Sequence, residues 1–202
     1  MNVLIVARTK MFGSSRCIGG LTKDGYSVRL LTASGENHDE SAPFQIGQIW
    51  ELCFGPRPQI IEPHVEDVFV TAQQYVRNQA KLREHLLQRV TPWRGGIDQL
   101  FGGLIRFTNM NNGYISAQAG IPGKSTGFWI PDQDLQLRKD KKHYDYITGH
   151  LLRGLSYVGE ATKIDPIPAY TLVRVSLARW WKPDNANSGF EERCYLQLSG
   201  WY

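Results

Sequence analysis

The sequence predicts a mainly β fold of small barrels or a sandwich. Short apolar runs recur along the chain at modest spacing, and polar stretches rich in breakers punctuate them, with 20 glycines and 10 prolines in 202 residues. Only one segment carries a clear helical pattern, so the regular alternation of strand and helix that builds a parallel βαβ sheet is missing.

Residues 3–7 form the first apolar run, and a glycine-serine loop follows. Residues 17–21 and 26–31 then read as the arms of a hairpin, because Asp24-Gly25 between them is a turn signal that supplies positive φ. The polar, breaker-rich residues 32–43 mark a surface loop. Residues 47–54 alternate as a half-buried strand ended by Gly55-Pro56-Arg57-Pro58, and 65–70 predict another. The helix is expected next, over 71–89: Thr71 and Gln74 have capping-box spacing, Tyr75, Val76, Leu82, Leu86 and Leu87 recur near helical spacing, and Pro92 ends it. The pairs Gly95-Gly96 and Gly102-Gly103 mark the junction between halves, giving units 1–92 and 93–202. Further strands are expected at 105–108, 113–117, 127–130, 155–159, 170–181 and 193–201, with a lysine-rich interval at 138–142 and a short helix or turn at 143–152.

Composition narrows the class. At 42% hydrophobic and 21% charged, the chain has apolar material for one substantial core or two small ones, which excludes a disordered protein. No run approaches the roughly 18 apolar residues of a bilayer span, and Arg8 comes too early for a signal peptide, so a soluble, cytoplasmic protein without a membrane partner is expected. Cys17, Cys53 and Cys194 are odd in number and far apart, which fits free buried thiols and neither disulfides nor a zinc site.

Charge is blocked along the chain. Residues 1–35 carry +4, 36–70 carry −6 with Arg57 the lone cation, and 71–110 return to +4. Such blocks focus an anionic ligand if they stay apart in space, and merely solubilise the protein if they intermix. The basic residues are interleaved with rings in two places. Arg8, Lys10 and Arg16 flank the first loop with Tyr26 and Arg29 close behind, and Arg174, Arg179, Trp180, Trp181 and Lys182 repeat the mixture near the other end. Cations meet phosphates and flat rings stack bases, so Arg8, Lys10, Arg16, Tyr26, Arg29, Arg179, Trp181 and Lys182 are the candidate nucleic-acid contacts. On an alternating strand, one of Trp180 and Trp181 faces the core and the other faces out; the competing role is to close a barrel or an inter-domain seam. Trp201 and Tyr202 are expected to pack or to lie in an interface.

Two patterns suggest other chemistry. Gly120-Ile-Pro-Gly123-Lys124-Ser125 resembles part of a phosphate-binding loop, but Gln118 stands where its first glycine belongs and Pro122 removes an inward amide. His64, Glu66 and Asp67 bring an imidazole beside two carboxylates, a set suited to acid-base or metal chemistry. The structural alternative gives His64 a buried backbone partner, Glu66 an arginine of the basic first segment and Asp67 a turn to cap. No second histidine sits at ligand spacing, so no metal, cofactor or catalytic residue is assigned.

Taken in order, Leu4-Ile-Val-Ala-Arg-Thr-Lys10, Arg16-Cys-Ile-Gly-Gly20, Tyr26-Ser-Val-Arg29-Leu, Pro63-His-Val-Glu-Asp-Val68, Val173-Arg-Val-Ser-Leu-Ala-Arg-Trp-Trp181 and Cys194-Tyr-Leu-Gln-Leu-Ser-Gly-Trp-Tyr202 resemble the bacterial dual OB (DuOB) domain proteins over essentially the whole chain. The resemblance implies two tandem OB-like barrels with one inserted or linking α-helix. It also implies nucleic-acid binding inferred from the fold, in prokaryotic conflict or antiviral defence systems beside an ATPase or nuclease. Three functions follow as expectations: a non-catalytic module for single-stranded DNA or RNA, a docking adaptor that uses the acidic 36–70 block on a larger enzyme, and a metal-dependent phosphodiesterase built on His64, Glu66 and Asp67.

Overall fold

The computed structural model describes residues 1–184 and 189–202. Its first half contains β1 (Asn2–Lys10), β2 (Ser15–Thr22), β3 (Ser27–Leu31), the short β4 (His38–Asp39), β5 (Gln48–Pro56) and β6 (Asp67–Asn78). The strand order β1-β5-β6-β3-β2 closes because β1 also pairs with β2, and β3 runs parallel to β6 where all other pairs are antiparallel. This five-strand closure has the connectivity of an OB barrel. Its centre is packed by Val3, Ile5, Ile18, Leu30 and Leu52, inward members of alternating strands, and by Phe44 from the loop before β5. The Asp24-Gly25 turn closes the β2–β3 hairpin as expected, with Gly25 at φ +84°.

The expected helix over 71–89 is corrected. Residues through Asn78 continue β6, and the helix is only α1 (Leu82–Leu87). Long-range pairing overrides the local signal here. Ala72, Gln73, Gln74 and Tyr75 lie opposite Cys53, Leu52, Glu51 and Trp50, and the Trp50 and Tyr75 rings meet edge to face at 5.7 Å. Thr71 donates to the Cys53 carbonyl across the ladder and caps no helix.

The second half contains β7 (Trp93–Gly95), a 3-10 turn (Ile97–Gly103), β8 (Arg106–Phe107), β9 (Gly113–Ser116), β10 (Thr126–Pro131), β11 (Leu135–Leu137), β12 (His143–Thr148), β13 (Leu151–Tyr157), β14 (Val173–Leu177) and β15 (Arg193–Trp201). The main strand order is β11-β12-β13-β15-β14-β10-β7, with β9 on the first part of β15 and β8 on β9. Trp129, Tyr144, Leu155, Val173, Val175 and Leu198 are buried at its centre. The expected short helix or turn over 143–152 is a second correction: it is a tight hairpin, with Thr148 opposite Leu151. His143, Tyr144, Tyr146, Ile147 and Thr148 are aromatic or β-branched in the main, and such side chains fit a pleated surface better than a helical turn.

The two halves meet in a seam that is apolar at one end and polar at the other. Leu4, Val6, Leu21 and Ile49 of the first barrel pack with Phe128, Ile130 and Leu172 of the second, and α1 drives Leu86 fully buried into the same cluster. Tyr202 joins them, donating from its hydroxyl to the Val6 carbonyl. Thr9 bridges to Gly159, and the Lys10 amide donates to the Val158 carbonyl at 2.9 Å, so the first barrel's β1 is stitched to the second half through backbone as well.

Candidate nucleic-acid interface

The charge blocks intermix in space. Arg8 is only 7% exposed; its Nε donates to Glu160 at 2.6 Å and its Nη1 to the Ala42 and Phe44 carbonyls. Arg16 donates from Nε to the other Glu160 oxygen and from Nη2 to Glu40 at 3.0 Å. Burial pushes the Glu160 carboxyl up, but the hydrogen bonds from Arg16 and Arg8 outweigh it and hold the group below its ordinary value. Arg29 and Arg179 each reach Asp67 Oδ2 at 2.6 Å, and Arg57 reaches the same oxygen at 2.9 Å. Two ion pairs, Arg16–Glu40 and Arg29–Asp67, therefore join the basic 1–35 block to the acidic 36–70 block within the first barrel, while Glu160 and Arg179 carry pairs across the seam.

His64, Glu66 and Asp67 hold this seam. His64 is buried, and burial followed by the nearby Arg29 cation holds its imidazole down at about 4, so it stays neutral. Glu66 accepts from both the Ser125 amide and the Ser125 hydroxyl, each at 2.7 Å. The expected roles of the two carboxylates are thus exchanged: Asp67 takes the arginine of the first segment, and Glu66 takes the loop before β10. The reason lies in register, because Asp67 sits directly opposite Arg29 on the parallel β3–β6 pair. Among the described residues no group of three or more His, Cys, Asp or Glu side chains is placed to hold a metal ion. The cysteines are free, but only Cys194 is buried; Cys53 is exposed and Cys17 intermediate, which corrects the expectation of three buried thiols. Burial pushes the Cys194 thiol up to about 12, so it is not a nucleophile at neutral pH.

The remaining candidates face solvent. Lys10 lies at the exposed end of β1, and Tyr26, 73% exposed, stands at the β2–β3 turn beside Arg89 and Lys124 in a recess of about 440 Å³. Among the described residues, Lys182 makes only a long 3.8 Å contact with Glu192. Trp180 turns inward, packs against the second core and donates Nε1–H to the Glu62 carbonyl at 2.6 Å; Trp181 is half exposed. The alternation expected of that pair is what the backbone produces.

Trp181 belongs to a groove that the sequence did not single out. Its backbone exchanges two hydrogen bonds with Arg193, at 2.9 and 3.0 Å, which pins it beside β15. There its ring meets Tyr195 at 5.9 Å, Tyr195 meets Tyr114 at 6.2 Å, and the Arg193 guanidinium lies over Tyr114 at 4.3 Å. Phe107, with Arg153 over its ring at 4.2 Å, and Met110 extend the same open groove of about 630 Å³. The signal for Arg193 and Tyr195 was present: along β15 they alternate with buried Cys194 and Leu196, so they face outward. Tyr114, Phe107 and Arg153 come from distant strands, and only the pairing of β9 with both β15 and β8 gathers them.

Among known families, the chain matches the one described as Dual OB-containing domain (DuOB) over residues 1–201. It belongs to that family. No curated protein and no solved structure matches it.

Proposed function

We propose that this dual OB-containing protein is a non-catalytic module that binds single-stranded nucleic acid through the groove on its second half. The carrying observation is the chain of rings Trp181, Tyr195 and Tyr114, partly open to solvent along one groove, with Arg153 over the neighbouring Phe107 and Arg193, which also pairs with Glu191 at 3.3 Å, over Tyr114. Unstacked bases have π faces that such rings accept without regard to sequence, and cations beside them meet phosphates. Lys182, next to Trp181, adds a phosphate contact on this side, while Tyr26 and Lys10, at opposite ends of the first barrel's β1–β2 ladder, offer separate contacts. Arg8 and Arg16, through Glu160, and Arg179, through Asp67, act one step back by tying the halves together, and Arg29 holds Asp67 within the first barrel. Duplex is the poorer ligand, because its bases present edges and not faces.

The docking reading draws less support, since Glu40, Glu66 and Asp67 of the acidic block are already engaged by donors of this chain. The phosphodiesterase reading has no free carboxylate pair beside His64 to work with. Partnership with an ATPase or nuclease, to which such a module would hand or hold a strand, is tested by co-purification. The module itself is tested by fluorescence anisotropy of labelled single-stranded DNA, single-stranded RNA and duplex at two salt concentrations. We expect single strands to bind, with affinity falling steeply as salt rises. Equal or tighter binding of duplex, or none at low salt, would overturn the assignment.

A further inference from the structure

A second feature lies in the polar end of the seam and is independent of the stacking groove. Arg174 is on β14 between Val173 and Val175, which point into the second core, so its side chain points the other way, toward the first barrel. It is 6% exposed, yet its Nε has no hydrogen-bond partner and no carboxylate pairs with its guanidinium among the described residues. A cation taken out of water without a counter-ion is costly, and natural folds keep one where something else neutralises it. The space around it is shaped for the purpose. Gly19 lies so close that a Cβ there would come within 2.9 Å of Arg174 Nη2.

Arg174 lines a cavity of about 140 Å³ whose walls also carry Thr126, Ser176 and Ser199; the Thr126 hydroxyl donates to the Val175 carbonyl at 3.1 Å, and Ser176 and Ser199 share a hydrogen bond at 2.8 Å that leaves one proton of the pair for a ligand. At roughly 30 Å³ per water, that is space for a tetrahedral oxyanion with a water or two. The cavity shares Arg29 and Arg179 with an open outer recess of about 540 Å³, which Arg57 also lines. Glu66 is on the wall, but both of its oxygens accept from Ser125. Four guanidinium groups thus surround a path with three carboxylates, Glu66, Glu36 and the Asp67 that holds Arg29, Arg57 and Arg179, and the innermost cation is the one without a partner.

We propose that this cavity is a binding site for a phosphate monoester, with the phosphoryl oxygens on the Arg174 fork and one hydroxyl of the Ser176–Ser199 pair, and the rest of the ligand in the recess ringed by Arg29, Arg57 and Arg179. A planar guanidinium gives phosphate two parallel N–H donors, and a neutral hydroxyl adds a third without adding charge. The outer recess leaves room for the esterified group. That group is supplied by a small metabolite, such as a nucleotide, or by the 5′ end of a nucleic-acid strand.

The test is thermal unfolding of the full chain in phosphate-free buffer, with inorganic phosphate, adenosine 5′-monophosphate, and one oligonucleotide carrying either a 5′-phosphate or a 5′-hydroxyl, each against sodium chloride of equal ionic strength. At a hundredfold excess over Kd, a single site raises Tm by roughly 5–10 °C in a chain of this size. Arg174→Met should fold as well as the parent or better, since an unpaired buried charge is replaced by an apolar stem, and should lose that rise. Gly19→Ala, which crowds the guanidinium, should reduce it. A larger response to the 5′-phosphate strand than to its 5′-hydroxyl twin assigns the source to nucleic-acid ends, and a larger response to the mononucleotide assigns it to a metabolite; either supports the site. No rise with any probe, or an equal rise in Arg174→Met, overturns it. Trp181→Ala should keep the phosphate response, so this site and the stacking groove stand or fall separately.

Discussion

The two halves of the molecule place arginines among rings and carboxylates to opposite ends. In the first barrel and its seam, Arg8, Arg16, Arg29 and Arg179 converge on Glu160 and Asp67, carboxylates largely withdrawn from solvent. On the outer face of the second half, Arg153 lies on Phe107, and Arg193 lies between Tyr114 and Phe190 and pairs with Glu191 at 3.3 Å, with a solvent-open groove beside them. A basic-aromatic pattern in sequence is therefore ambiguous until the acids are placed. Where a buried carboxylate takes the guanidinium it becomes structure; Arg153, which has a ring and no carboxylate within reach among the described residues, remains available to a ligand, and Arg193 is shared between its rings and Glu191.

Removing Asp67 should break the seam and leave the groove chemistry untouched. Asp67→Ala leaves three guanidinium groups around a vacated position, and losing one partner of a buried charge cluster costs about 3–5 kcal/mol. We expect that loss in chemical denaturation. Binding of single strands, measured below the lowered midpoint, should stay within a few fold of the parent.

Acid should act on the seam through His64 and Glu160, with His38 of the first barrel depressed likewise and Glu191 the corresponding carboxyl beside the groove. The His64 imidazole, held at about 4 against an ordinary 6.5, stays neutral in the fold while the unfolded chain takes up a proton. Its folded value is depressed, so as pH falls from about 6.5 to about 4 the unfolded state gains, and stability declines on the order of 3 kcal/mol before levelling. Glu160 acts in a lower window: its depressed value means its contribution is kept above the ordinary 4.5 and lost as pH falls through the folded value. His64→Gln should flatten the decline between pH 6.5 and 4.5 and keep the steeper acid limb. An unchanged decline in that variant would show that other groups titrate the seam.

How much of this was legible differs between the halves for the same reason. The β2–β3 hairpin was readable because Asp24-Gly25 and its flanking apolar residues are contiguous, and strands at 113–117, 127–130 and 193–201 announced themselves by local alternation. The helix over 71–89 misled because Thr71 and Gln74 meet a local capping rule, while the pairing that decides the matter comes from Trp50 to Cys53, about twenty residues away. The charges failed likewise. Arg8 and Arg16 reach Glu160, and Arg179 reaches Asp67, partners that no spacing rule connects. Trp181 was singled out from a local mixture, but Tyr114, Phe107 and Arg153 complete its groove only through strand register.

Breaking the groove should spare the seam. Trp181→Ala removes a half-exposed ring whose stacking partner is Tyr195, and base stacking on such a ring is worth about 1–3 kcal/mol. Single-strand affinity should fall about tenfold or more in anisotropy while Tm shifts little. Tyr195→Ala should cost a similar amount, and the double variant less than the sum, because the two rings form one platform.

The smallest effect separates an available cation from a committed one. Lys182 is exposed and, among the described residues, held only by a 3.8 Å contact, so a phosphate can claim it at little cost to the fold. Lys182→Ala should lower affinity less than tenfold and equally for all sequences, and should reduce the slope of log affinity against log salt by about 0.7, the share of one phosphate contact on a single strand. Arg16→Gln makes the comparison, since Arg16 is joined to both Glu160 and Glu40. It should leave the salt slope where it is and lower the unfolding midpoint instead. A reduced slope in Arg16→Gln would mean that nucleic acid draws this arginine away from its carboxylates and that the first barrel, too, presents its cations to phosphate.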